Sequence, residues 1–358
     1  MFSVIMAGGS GTRFWPFSRK DRPKQLLDIT GKGPMVVETC NRLLSISKDN
    51  EMMIILGESH REETQRLFTG RDINILAEPV GRNTAPCIGL GALYARYLGC
   101  RGPMAFLPAD HFIGNPKAFT DAIKLAARAC ESGGIATLGI VPSRPETGYG
   151  YIQKSGKDGE TGEAGIYNVK RFVEKPDLKK AMEYLNSGDY YWNAGIFVAT
   201  PETILNEMKS CLPETYNSLL KLEPYFGSPE FDKKFLEVYS EIKSESFDYG
   251  VMEKTRADLY VVPCECGWSD VGSWESLYEL RSDEYDKNKN LTVGDTLLID
   301  CEGSFISSSG KRLVACLGVN NLIVVDRDDA LLVADMKRSQ DIKKIVDELK
   351  NRKREELL

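Results

Sequence analysis

Short apolar runs punctuate the first half of the chain: Val4 to Ala7, Met52 to Leu56, Met104 to Leu107 and Ile135 to Ile140. Longer stretches of helical period separate them, which is the pattern of buried parallel strands with covering helices. One helix is marked at its start by Asn115 as cap and Pro116 in the first turn, with Ile123, Ala126 and Ala129 or Cys130 recurring on one face. From about 150 to 275 the alternation loosens, mixing an extended stretch at Tyr167 to Phe172 with a helix at Asp177 to Leu185, and reads as the same domain continued to 285. After the charged stretch Arg281 to Asn290 the pattern turns short and β-like: Leu297 to Asp300, Ser304 to Ser307, Leu313 to Leu317, Asn321 to Val325 and Ala330 to Val333. These predict a small β domain over 290–336. A closing helix over 339–358 is expected to be capped by Ser339, with Ile342, Ile345, Val346 and Leu349 on its apolar face.

Composition narrows the picture further. With 46 Lys and Arg against 52 Asp and Glu, the formal net charge of -6 disfavours a surface for nucleic acid, so any anionic ligand needs a local basic site. Met1 leads straight into a short apolar stretch and glycines, with no basic leader and no run of membrane length, so no membrane association and a cytoplasmic location are expected. The nine cysteines are an odd, scattered set in a chain too large to need staples, which predicts reduced and mostly buried thiols. Only His60 and His111 accompany them, so no zinc site of ordinary spacing assembles.

Chemistry concentrates after the first strand. Ala7-Gly8-Gly9-Ser10-Gly11-Thr12-Arg13 strips side chains from the backbone so that N–H groups can approach an anion. No Gly-Lys-Ser/Thr follows, and Phe14 stands where a dinucleotide fingerprint has its third glycine, so neither of those loops fits. Arg13, Arg19, Lys20, Arg22 and Lys24 follow closely and make a triphosphate the natural guest; the competing reading is a tight turn beside a solvated basic face. Asp110 follows the strand Ala105-Phe106-Leu107, where open α/β sheets bind ligands, and Asp270 lies in Gly-Trp-Ser-Asp-Val-Gly. Mg²⁺ takes one or two such carboxylates plus phosphate oxygens and water, although each aspartate could equally be a cap or turn former.

Gly8 to Pro16 together with Pro23-Lys24-Gln25-Leu26-Leu27 resembles the signature of the sugar-nucleotide pyrophosphorylases, and Leu107 to His111 and Trp268 to Gly272 resemble that family's metal-carrying motifs. Glu78 to Pro86, Glu146 to Ile152, Phe172 to Pro176 and Tyr191 to Phe197 are similar to its mannose-1-phosphate guanylyltransferase branch. The resemblance implies a Rossmann-like mixed sheet in an α/β nucleotidyltransferase domain, followed by a small C-terminal β domain like a left-handed β-helix, used for assembly into a homodimer. It implies nucleotide binding by Ala7, Gly8, Gly9, Gly11, Thr12, Arg13, Lys24, Glu78, Arg82, Asn83, Thr84 and Asp110, and sugar-phosphate binding by Gly148, Tyr149, Glu174, Lys175 and Asn193. Arg13, Lys24, Asp110, Lys175 and Asp270 are implied to be catalytic, with Asp110 and Asp270 holding Mg²⁺ or another divalent metal. The implied partners are GTP and mannose 1-phosphate, with GDP-mannose and pyrophosphate as products. The alternatives are a non-catalytic subunit sensing GDP-mannose and a nucleotidyltransferase for another hexose 1-phosphate. A β unit of that size must pack on the catalytic domain or on a partner, so residues after about 290 are expected to form the homodimer and truncation there to give a less stable monomer with its active-site motifs intact. The alternative is that the β segment docks entirely on its own catalytic domain.

Overall fold

The computed structural model describes residues 1–9, 11–155 and 164–358, which group into two compact units. The first comprises Met1–Gly8, Thr39–Ala109 and Ile113–Trp268, and the second comprises Gly9–Glu38, Asp110–Phe112 and Ser269–Leu358.

The first unit is organised by a nine-stranded sheet. Its order is Asn74–Glu78, Met52–Gly57, Ser3–Ala7, Met104–Pro108, Tyr190–Ala199, Ile135–Ile140, Leu259–Pro263, Tyr167–Val173 and Tyr151–Lys154. The four apolar runs in the first half of the chain are strands of this sheet, buried along nearly their whole length, as strands covered by helices are. Ser3–Ala7 pairs in parallel with Met52–Gly57 and with Met104–Pro108, and Ile135–Ile140 pairs in parallel with Leu259–Pro263. Tyr190–Ala199 runs antiparallel between Met104–Pro108 and Ile135–Ile140, which makes the sheet mixed. The register sets Ala7 beside Leu56, Gly57 beside Glu78, and Met6 beside Pro108, so the parallel strands end along one edge.

Helix signals read locally are reproduced. Pro116–Ala129 begins with the Asn115 side chain accepting from Ala118 N at 3.1 Å, and Asp177 likewise caps Leu178–Ser187. Thr84–Tyr97 is buried almost all round, and its glycines let neighbours in: a Cβ on Gly89 would lie 2.7 Å from Leu219 Cδ1, and one on Gly91 3.0 Å from Val4 Cγ1.

In the second unit, Leu291–Val293, Phe305–Ser307 and Leu322–Asp326 stack in parallel, and Leu331–Asp335 closes the stack antiparallel. Thr296–Ile299 pairs in parallel with Val314–Leu317, giving a β-helix-like arrangement of two faces. The surface this small unit needs is supplied from far away in sequence: Phe14, Trp15, Leu27, Ile29 and Met35 share one core with Trp274, Leu291, Phe305, Ile323, Val325 and Leu332. Trp274 stacks on Phe305 with centroids 5.2 Å apart, and Trp15 Nε1 donates to Leu357 O at 2.8 Å. The expected Ser339 cap is corrected. Met336–Ile342 forms a 3₁₀ helix entered at Asp335, whose carboxylate accepts from Lys337 N, and the helix proper is Lys343–Asn351. Ser339 lies inside that 3₁₀ helix, not at a helix start, and its buried hydroxyl donates to Glu275 Oε2 at 3.3 Å.

Candidate active site

Lys24 is the centre of the charged cluster in the second unit. Its stem is buried, its ammonium donates to Asp110 Oδ2 at 2.8 Å and to the main-chain oxygen of Asp270 at 2.6 Å, and so three residues far apart in sequence converge. Burial works to raise the Asp110 carboxyl, but the charges of Lys24 and His111 and the hydrogen bond from Lys24 outweigh it and hold it below the usual range. Asp270 is set by a strained turn. Val271 sits at φ 42° with its branched side chain fully buried, Gly272 N donates to Asp270 Oδ1 at 3.1 Å, and a Cβ on Gly272 would meet Asp270 Oδ2 at 2.5 Å. Among the described residues no group of three or more His, Cys, Asp or Glu side chains is placed to cage a metal. Mg²⁺ does not require one, since one or two carboxylates completed by phosphate oxygens and water satisfy it.

The glycine loop is built around the same lysine. Gly11 adopts φ 60°, and a Cβ there would fall 2.4 Å from Lys24 Cβ, so both conformation and space demand glycine. Gln25 Nε2 ties Gly9 O at 2.9 Å and Ser18 Oγ ties Gly11 O at 2.8 Å. Thr12–Phe14 forms a single 3₁₀ turn on which Arg13 is exposed. Ser10 lies outside the described residues.

In the first unit, Ala7, Gly8 and Glu78 stand at the carboxyl edge of the parallel strands. Glu78 is 4 % exposed and accepts a hydrogen bond from the Tyr239 hydroxyl; burial raises its carboxyl to about 7 despite that bond. The following loop is held by one segment. Arg82 donates to the carbonyls of Tyr239 and Ser240, Asn83 caps the Thr84–Tyr97 helix by accepting from Thr84 N, and Thr84 Oγ1 accepts from Phe247 N at 2.8 Å. These three predicted nucleotide contacts therefore spend side-chain groups on fixing the loop.

The sugar-side residues also gather in the first unit. Lys175, at φ 45°, is ion-paired to Glu174; burial works against its charge, and Glu174 more than restores it. Glu174 Oε2 is buried without a hydrogen-bond partner, and a Cβ on Gly150 would come within 2.4 Å of it. Gly148 N donates to Glu146 Oε1 at 3.0 Å, and the Tyr149 ring packs edge-on against Trp192 and Trp268. Asn193 Oδ1 accepts from Gly195 N at 2.9 Å, and its Nδ2 donates to Asp248 Oδ1 at 2.8 Å, which fixes the orientation of the amide. Asp248 was not foreseen. Burial first, then the charge of Glu174, raises its carboxyl to about 6, and it opens the π-helical turn Asp248–Met252, a helix irregularity often found at functional sites. Gly150 lies within the Glu146 to Ile152 motif but has no signal of its own for its closeness to Glu174, and the Tyr239 hydroxyl has no local sequence signal.

Residues 2–287 match the nucleotidyl transferase family. The chain belongs to it. Residues 294–349 match the MannoseP isomerase/GMP-like beta-helix domain, in agreement with the stacked strands. Family-level likeness extends over the whole length. A mannose-1-phosphate guanylyltransferase of Klebsiella pneumoniae is 42% identical over 99% of this chain and 75% of its own, and one from Escherichia coli gives the same figures. The crystal structure described as mannose-1-phosphate geranyltransferase from Thermus thermophilus superposes with a TM-score of 0.87 at 32% identity, covering 98% of this chain and 99% of that one. No described helix is long and apolar enough to cross a membrane.

Proposed function

We propose that this chain transfers GMP from GTP to α-D-mannose 1-phosphate, giving GDP-mannose and pyrophosphate. The observation that carries the reading is the convergence of Lys24, Asp110 and Asp270 in a chain whose full length matches guanylyltransferases. A phosphate oxygen of mannose 1-phosphate attacks the α-phosphorus in line; the bond from that phosphorus to the β-phosphate oxygen breaks, and its electron pair leaves with pyrophosphate. The attacking oxygen is already ionised at neutral pH, so positioning and charge neutralisation suffice without a general base. Asp110 and Asp270 would hold Mg²⁺, which supplies neutralisation at the reacting and leaving phosphates.

The remaining roles fall to side chains described above. Backbone N–H groups of Gly8, Gly9, Gly11 and Thr12 receive the triphosphate, Arg13 takes the leaving phosphates, and Lys24 both restrains Asp110 and neutralises charge at the α-phosphorus. Glu78 offers a buried carboxyl to the guanine N–H donors. Lys175 receives the sugar phosphate, while Glu174 and Asn193 face the hexose hydroxyls and Asp248 orients the Asn193 amide. The working unit in this reading is a homodimer. Leu297, Ile299 and Leu317, at 49%, 49% and 71% exposure, offer a second copy an apolar face on the paired strands Thr296–Ile299 and Val314–Leu317.

Pyrophosphate release from GTP and mannose 1-phosphate, measured with Mg²⁺ and again after chelation, tests the reaction. Asp110→Ala and Asp270→Ala are each expected to keep the fold and lose at least about a hundredfold in turnover. Near-normal turnover in both variants would remove the metal assignment, and equal turnover with glucose 1-phosphate would remove the sugar assignment.

A further inference from the structure

The basic run after the glycine loop divides in two. Lys24 is absorbed by Asp110 and Asp270, whereas Arg19 and Arg22 line a different cavity of about 710 Å³ within the second unit, together with Arg327, Lys311 and the apolar side chains of Phe17 and Leu27. Two hairpin-like turns build it. Arg19 and Arg22 exchange main-chain hydrogen bonds at 3.1 Å in each direction, and Arg327 N donates to Ala330 O at 2.9 Å in the turn between Leu322–Asp326 and Leu331–Asp335.

The guanidinium planes are fixed by aromatic rings. Arg327 Cζ lies 3.8 Å from the Phe17 ring centroid, and Arg19 Cζ lies 5.4 Å from that of Trp15, so little freedom remains to be lost on binding. Four aspartates, Asp21, Asp28, Asp328 and Asp329, border the cavity and equal its cations in number, and two of them pair with those cations. Asp329 pairs with Arg19 Nη2 at 2.8 Å, Asp328 with the Lys311 ammonium, and Asp28 Oδ1 accepts from Gly31 N at 2.6 Å. Formal charge in the lining is thus balanced, but hydrogen-bond acceptors are short. Arg19 Nη1 and Arg327 Nε are buried with no hydrogen-bond partner, and the Arg327 guanidinium is pushed below its ordinary range by burial first and then by the charges of Arg19 and Arg22. Leaving charged donors desolvated and unsatisfied is unfavourable, and a small oxyanion, which brings several acceptor oxygens, offsets it.

We propose that this cavity is a second anion site, distinct in its lining from the glycine loop, which takes the phosphate group of a small phosphorylated metabolite against Arg19, Arg22 and Arg327. Phe17 and Leu27 give the rest of such a molecule an apolar floor. The site goes beyond the transferase reading and stands whether or not that reading holds.

Equilibrium dialysis of radiolabelled orthophosphate against the full-length protein tests it. The expected result is saturable binding that Arg327→Gln weakens by about tenfold, the loss of one charge-assisted contact. Arg13→Ala, on the exposed turn of the glycine loop, is expected to affect only a separate class of phosphate binding and leave the class sensitive to Arg327→Gln unchanged, and Asp329→Asn to tighten that class by withdrawing an acid from the rim. The tightening guards against misfolding, since a damaged protein does not bind more strongly. Absence of saturable binding, loss on Arg13→Ala in place of Arg327→Gln, or indifference to both Arg327→Gln and Asp329→Asn would overturn the proposal.

Discussion

Two buried carboxyls carry the residue-scale consequences. Glu78 is raised to about 7 from an ordinary 4.5, so between those values the folded protein holds a proton that the unfolded chain has lost. Stability therefore falls as pH rises through that window, and the full cost stands above pH 7. Glu78→Gln removes the titration: denaturant midpoints should show the variant gaining on the native chain from pH 4.5 upward, by at most on the order of 3 kcal/mol at pH 8. A constant difference across that range would show that Glu78 does not titrate there. Asp248 acts through Asn193, whose amide it orients. Asp248→Asn is expected to raise KM for mannose 1-phosphate by about tenfold while KM for GTP stays within about twofold, because the disturbed hydrogen bond faces the sugar-side residues. Equal changes for both substrates would place Asp248 elsewhere.

At the scale of elements, the glycine loop shows how much a motif reveals. Its anion-binding character is legible in the bare run of glycines, yet the glycines differ in what they tolerate. A Cβ on Gly9 meets nothing within 4 Å, whereas one on Gly11 would strike Lys24 Cβ and force an alanine into φ 60°. Gly11→Ala should therefore cost about 1–3 kcal/mol and displace Lys24, and thermal unfolding with turnover measured in parallel should show both falling. Gly9→Ala should leave the melting temperature nearly unchanged. The Asp270 turn makes the complementary point: nothing local in Ser-Asp-Val-Gly announces that a buried valine will sit at positive φ.

For the whole molecule, the decisive feature is the core that joins Gly9–Glu38 to the segment after 290. A chain ended at 290 loses Phe305, Ile323, Val325, Leu332, Met336, Ile342 and Val346 from beneath Phe14, Trp15 and Trp274. Core losses of this number exceed the stability of most domains, so the expectation that truncation spares the catalytic motifs gives way. Limited proteolysis of the truncated chain should cut within residues 9–38, and turnover should vanish, while the sheet-bearing unit keeps a cooperative melting transition. Light scattering of the full chain at micromolar concentration should report a dimer, and Leu317→Glu should shift it to monomer; a monomeric native chain would remove the apolar face from the assembly.

The sequence determined the elements and the chemical vocabulary. Apolar runs gave buried strands, Asn115 and Asp177 gave helix starts, and the glycine, Pro-Lys-Gln and Trp-Ser-Asp motifs named the family, because each of these is a local statement about backbone conformation, burial or charge. The tertiary structure decided which of these meet. Lys24 finds Asp110 and Asp270, the Tyr239 hydroxyl finds Glu78, Asp248 finds Asn193, and Ser339 turns to Glu275 when a local reading makes it a cap. Those contacts join residues 55 to 246 positions apart, and no hydrophobic period encodes them. They form when buried polar groups, brought together by the packing of apolar faces, pair with one another in place of water.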